Sequence, residues 1–133
     1  MANPNIVNVS NIYGNTAYVT PSGTTANTAW TYNGSTSLTG LTPSTNVVNR
    51  VTTIVVSNSS AAAANCSVAI ANNATYGSGT PFYLANSISV PAGASLIVTD
   101  KTTSFYVTEN QSVGVITGTA NALSFVATFE AIS

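Results

Sequence analysis

Five side chains carry charge, namely Arg50, Asp100, Lys101, Glu109 and Glu130, and the chain has no histidine. General acid–base catalysis needs two positioned titratable groups whose pKa values are driven apart. Asp100, Glu109 and Glu130 are the only candidates. Asp100 and Glu109 fall in the turns flanking residues 104–108, where they can approach one another. The competing reading is favoured: two carboxylates hydrate exposed turns, and Lys101 partly offsets Asp100. Without histidine there is neither a Ser–His dyad nor a histidine-ligated metal site. The many serines and threonines therefore have no base to activate them, and a divalent cation would need clustered carboxylates. Cys66 is the single thiol, so no intrachain disulfide can form. In NCSVAI it alternates onto one face with Val68 and Ile70, as a small buried apolar residue does. A reactive thiol needs a neighbouring base or cation. These residues predict a protein that is not an enzyme, with no cofactor and no metal.

Binding chemistry is constrained in the same way. Phosphate-backbone affinity scales with the number of phosphates neutralised, and Arg50 and Lys101 neutralise few. Nucleic acid and anionic membrane surfaces are therefore not expected partners. No run of about twenty apolar residues is present to span a bilayer. The opening MANPN lacks the basic and apolar regions of a secretory signal, so export through a cleaved leader is not expected. Six Asn-x-Ser/Thr triplets, at Asn8, Asn33, Asn58, Asn65, Asn73 and Asn110, arise from composition and carry no prediction without a leader. Sugar binding stays open. Tyr13, Tyr18, Trp30, Tyr32, Tyr76, Tyr83 and Tyr106 can build an aromatic platform with asparagines as hydrogen-bonding partners. The same side chains suit a core or a subunit contact, which is the preferred reading.

The elements that would position these residues are strands. The C-terminal third, residues 87–133, holds five β-prone runs separated by turn signals such as Pro91-Ala92-Gly93, Asp100-Lys101 and Glu109-Asn110. In the first, Ile88 and Val90 point inward. In the third, Phe105 and Val107 oppose Tyr106. In the last, Leu123, Phe125, Ala127 and Phe129 share one face, with Ser124, Val126 and Thr128 on the other. Upstream, residues 5–12 and 15–20 read as two short strands around Tyr13-Gly14, ended by Pro21-Ser22-Gly23. Ala29-Trp30-Thr31-Tyr32 reads as a strand leading into a tight Asn33-Gly34 turn. The remainder to residue 45 reads as an ordered loop or arm anchored by Trp30, Tyr32, Leu38 and Leu41. Residues 46–58 (NVVNRVTTIVVSN) are apolar on both faces, as in a central strand or one covered by a neighbouring subunit. Residues 59–64 form a loop, 65–71 a strand, and 72–81 a flexible-looking loop tip. Residues 82–90 form a strand broken at Asn86.

Nine or ten short strands without a helix predict an all-β fold: a single-domain antiparallel β-sandwich, jelly-roll-like, with an N-terminal arm. The expected division places strands and an arm in residues 1–45 and the sandwich core in 46–133, as one folded unit. Only 4% of residues are charged, against roughly 25% in ordinary soluble domains. Solubility falls to Ser, Thr and Asn, and the edge strands lack the Lys and Glu that normally prevent edge-to-edge association. Burial of those edges in an assembly resolves the problem. Few charges also mean few salt-sensitive contacts, which suits a particle exposed to varying ionic strength.

The opening MANPNIVNV, the central VVNRVTTIVVSN and the closing SVPAGASLIVTDKTTSFYVTENQSVGV and SFVATFEAIS resemble small virion proteins of tailed phages of marine bacteria. Those proteins share an ANPNIV-like opening, an apolar strand ending in Ser-Asn and a VPAG-type turn. A Tyr-Val/Leu-x-Glu-x-x-Ser step and a Glu-containing C-terminus follow. Residues 14–45 lie outside the resemblance. It implies a structural part of the phage particle, with a capsid decoration (cement) protein on the head surface as the first expectation. Such a protein would be a homo-oligomer, a trimer, partnered with the major capsid protein. A neck, tail or fibre component is the alternative, and a glycan- or receptor-binding module is the second. The expected assembly contacts lie in the N-terminal arm and the 72–81 loop: Ile6, Val7, Tyr13, Trp30, Tyr32 and Tyr76.

Overall fold

The computed structural model describes Pro4 and residues 8–133. Ile6 and Val7 lie outside the described residues. Among the described residues there are ten strands: β1 (Ile12–Val19), β2 (Ala29–Tyr32), β3 (Thr36–Thr39), β4 (Val48–Asn58), β5 (Ala64–Ala71), β6 (Pro81–Val90), β7 (Ser95–Thr99), β8 (Phe105–Val107), β9 (Ser112–Thr117) and β10 (Leu123–Ile132). They form two antiparallel sheets of unequal size. The larger is ordered β3-β2-β1-β10-β4-β7, with β8 also pairing β4, and the smaller is β6-β5-β9. The fold is an all-β sandwich.

The core follows from strand periodicity. Leu123, Phe125, Ala127 and Phe129 of β10 are all buried, whereas Val126 on the opposite face is exposed. Strand β4 is central, between β10 on one side and β7 and β8 on the other. Its apolar residues on both faces have a geometric cause. Thr53 pairs with Thr128 but Val51 with Phe129, so Thr52 is an extra residue in the ladder. That bulge resets the alternation and turns Val51 inward together with Ile54 and Val56, all three fully buried. The Thr52 hydroxyl fills the irregularity by donating to the Thr128 carbonyl at 3.1 Å. Facing them are Cys66 and Val68 of β5 and Val113 and Val115 of β9. Each such side chain contributes about 1.5–3 kcal/mol by leaving water.

Several expectations for the N-terminal third are corrected. Tyr13-Gly14 is no turn, because β1 runs through it in continuous register with β10 from Ile12↔Ile132 to Val19↔Phe125. Residues 24–45 are not an arm outside the sandwich either. Strand β1 lies inside the larger sheet, β2 pairs with it, and Ala17, Trp30 and Leu41 are fully buried. The small polar run after Asn33-Gly34 contains β3, which completes a hairpin with β2. The Asn33-Gly34 turn forms as expected, with φ of 50° and 82°. In the C-terminal block Val90 is buried but Ile88 is 41% exposed. Strand β6 carries an extra residue at Leu84 and another at Asn86–Ser87 relative to β5. The second bulge is the break anticipated at Asn86. Its Ser87 has φ of 52° and donates its backbone N–H to Ser67 Oγ at 2.8 Å.

The N-terminal hairpin also closes one edge of the smaller sheet. Asn27 and Val115 exchange backbone hydrogen bonds of 2.8 and 3.0 Å, and Val113 N–H donates to the Gly40 carbonyl at 2.7 Å. Thr42 Oγ1 donates to the Gln111 carbonyl, and the Trp30 indole N–H to the Val113 carbonyl at 3.2 Å. Gly40 is required here: its φ is +65°, and a Cβ would sit 2.6 Å from Ser112 Cβ.

Candidate functional site

The ionisable groups are tied into structural roles. Asp100 caps the short 3-10 turn Lys101–Thr103, accepting from the Thr102 N–H at 3.0 Å and the Thr102 hydroxyl at 2.6 Å. Those bonds, the hydroxyl first, hold its carboxyl below the usual aspartate range. Glu130 faces Arg50 across the β10–β4 pair at 3.6 Å, and Arg50 also donates to Ser104 Oγ. Glu109 sits half-buried in the β8–β9 turn, and its Oε2 has no hydrogen-bond partner among the described residues. It therefore forms no hydrogen-bonded pair with Asp100. Among the described residues, no three of His, Cys, Asp and Glu gather closely enough to hold a metal ion. Cys66 is fully buried, and burial pushes its thiol up to about 11, so the thiolate is disfavoured at neutral pH. No helix among the described residues is long and apolar enough to cross a membrane.

The expected contact residues are scattered. Trp30 lies wholly inside the protomer, because its N–H finds a partner on β9 and its rings fill the core; no neighbouring subunit can reach it. Tyr76 is half-buried with its ring pressed on Gly114, where a Cβ would meet ring carbons at 2.6 to 2.9 Å. Burial, and secondarily the neighbouring Tyr83, raise the Tyr76 hydroxyl above its ordinary value. The 72–81 loop is well held. Asn72 Oδ1 accepts from Thr80 N–H, Asn73 Oδ1 from Thr75 N–H, and the Asn73 carbonyl from the Ser112 hydroxyl. Tyr32 packs edge-on against Phe129, with ring centroids 6.1 Å apart at 63°. Among the described members of the group Tyr13 is the most accessible, at 62% exposure.

Three surface features can do work. The first is the outer edge of β6, where Phe82, Tyr83, Leu84 and Ile88 are exposed on a strand with no charged residue. The second crosses the outer face of the larger sheet. Ile97, Val55, Val126 and Tyr18 stand opposite one another in successive strand pairs, giving one apolar row over β7, β4, β10 and β1. The third is a half-open cleft of about 170 Å³ on the inner face of the same sheet, lined by Tyr32, Phe129, Asn15, Asn49 and the 43–47 loop.

The cleft comes from the mismatch between the sheets. Phe125 and Ala127 face the smaller sheet within the common core, whereas the end of β10 beyond Phe129 turns toward the cleft. There the inward positions become polar, with Asn15 opposite Phe129 on β1 and Asn49 opposite Ala131 on β4. Sequence reasoning missed both asparagines. Their signal was a polar side chain at an inward position of a strand, which alternation alone assigns to core. No family model, curated protein or solved structure shows significant similarity to this chain.

Proposed function

We propose that the chain is a non-enzymatic structural subunit of a virion, a capsid decoration protein that binds the head surface as a homo-oligomer. The observation that carries this reading is the β6 edge, uncovered among the described residues. Exposed, long, uncharged and apolar edge strands promote association unless they are paired or covered. The two bulges interrupt the outer hydrogen-bonding row, so a neighbour packs mainly on Phe82, Tyr83, Leu84 and Ile88 rather than extending a continuous sheet. When β6 of one copy meets a different patch on the next, the contact is heterologous, and closure after three copies gives a trimer. The apolar row on the outer face of the larger sheet supplies a separate surface for the major capsid protein. The low charge and the sequence resemblance to small phage virion proteins support the same reading.

Quantitative mass spectrometry of purified phage particles tests it. Hundreds of copies per particle are expected for a decoration protein. Tens or fewer would move the chain to the neck, tail or fibre, and absence from the particle would overturn the reading.

A further inference from the structure

Beyond any role in assembly, the cleft has the makings of a small-ligand site, and its chemistry restricts the ligand. Among the described residues no charged side chain lines it. Its two amides are fixed in orientation by bonds to the protein. Asn49, only 2% exposed, donates Nδ2–H to the Leu41 carbonyl at 2.8 Å. Asn15 donates Nδ2–H to the Tyr13 carbonyl at 3.2 Å. Each is left with Oδ1 as an acceptor that receives no hydrogen bond among the described residues. Both asparagines line the cleft, where water or an occupant can donate to these oxygens.

The walls are apolar or aromatic: Leu38, Val47, Ala131, Phe129 and the half-buried ring of Tyr32. Tyr13 stands opposite Ala131 on the same face as Asn15, two residues away, so an exposed second tyrosine flanks the mouth. A cavity of about 150 Å³ takes up a benzene ring, so this one has room for one six-membered ring. It is smaller than the roughly 300–1,000 Å³ of sites for larger ligands. Amide acceptors, aromatic walls and no charge match a molecule with hydroxyl donors on its edge and an apolar C–H face. We propose that the cleft binds one neutral pyranose unit, with Asn15 and Asn49 accepting from its hydroxyls and Tyr13 and Tyr32 flanking the ring.

Saturation-transfer-difference NMR on the full chain tests this, using methyl α-glucoside, methyl β-galactoside, N-acetylglucosamine and, as the charged probe, glucuronate. At least one neutral sugar is expected to bind with a dissociation constant on the order of 1 mM, the range open to a single small ring. Asn15→Ala and Tyr13→Ala should each weaken it at least about tenfold while leaving the unfolding midpoint in place. Ala131→Phe, which fills the cleft, should abolish the signal, and Tyr106→Ala, on the opposite face of the sheet, should leave it intact. The proposal is overturned if no neutral sugar shows transfer, if glucuronate is preferred, or if Asn15→Ala and Tyr13→Ala bind like wild type. Asn15 and Tyr13 are the more exposed positions, so the test stands even if Ala131→Phe fails to fold.

Discussion

The smaller sheet has two edges, and they are treated in opposite ways. On β9, Asn27, Gly40, Thr42 and Trp30 bring donors and acceptors to the outer row, and Ser112 to Val115 are buried. On β6, eight of ten residues are exposed, among them four large apolar side chains. Within this sheet the chain covers one edge and, among the described residues, leaves the other uncovered. The N-terminal hairpin is spent on β9. The edge left over is made of residues that gain most from contact with another molecule.

The strongest way to break that contrast is to remove the cover of β9. Trp30→Ala deletes a fully buried side chain and leaves the Val113 carbonyl without its indole donor. A loss of about 3–5 kcal/mol is expected, a large share of the 5–15 kcal/mol that stabilises a typical domain. Urea unfolding should show the midpoint falling sharply, and the exposed β9 should make the variant prone to aggregate. A midpoint near that of wild type would mean that the hairpin is not what holds this edge.

Gly114→Ala probes the same strand from its other side. The new methyl would meet the Tyr76 ring at 2.6 Å, and overpacking of this kind costs about 1–3 kcal/mol. The penalty should vanish in the Tyr76→Ala background, and a double-mutant cycle measures this directly. Equal penalties in both backgrounds would show that Tyr76 does not press on Gly114.

A smaller effect is expected at the margin of the larger sheet, where Asp100 caps the turn after β7. Its carboxyl is held below the ordinary value by Thr102. Its stabilisation is therefore present above the unfolded-state pKa and is lost as pH falls through the lower folded-state value. Thermal unfolding between pH 7 and pH 2 should show wild type losing stability on acidification more than Asp100→Ala does. Parallel curves would exclude the cap as a contributor.

Much of this architecture is legible in period-two alternation. Strand β10 shows it in full, since Leu123, Phe125, Ala127 and Phe129 are inward both by pattern and by burial. Alternation misleads where the backbone adds a residue. Thr52 moves Val51 inward, and the bulges of β6 leave Ile88 exposed despite its inward pattern. It is also silent about partners far apart in the chain. Trp30 reads equally well as a surface contact or a core residue until Val113, 83 positions away, supplies the acceptor. The cleft was hidden for the same reason. Asn15 and Asn49 become neighbours of one space only because β1 and β4 flank β10.

Sedimentation velocity of wild type and Leu84→Lys, run side by side over rising concentration, addresses the bare edge most directly. Leu84 is 39% exposed, so the lysine should change folding stability by no more than about 0.5 kcal/mol. Wild type is expected to sediment at three times the 13.5 kDa protomer mass, and Leu84→Lys as a monomer with the same unfolding midpoint. Wild type that stays monomeric throughout, or a lysine variant that assembles equally well, would contradict the assignment of β6 as the assembly surface.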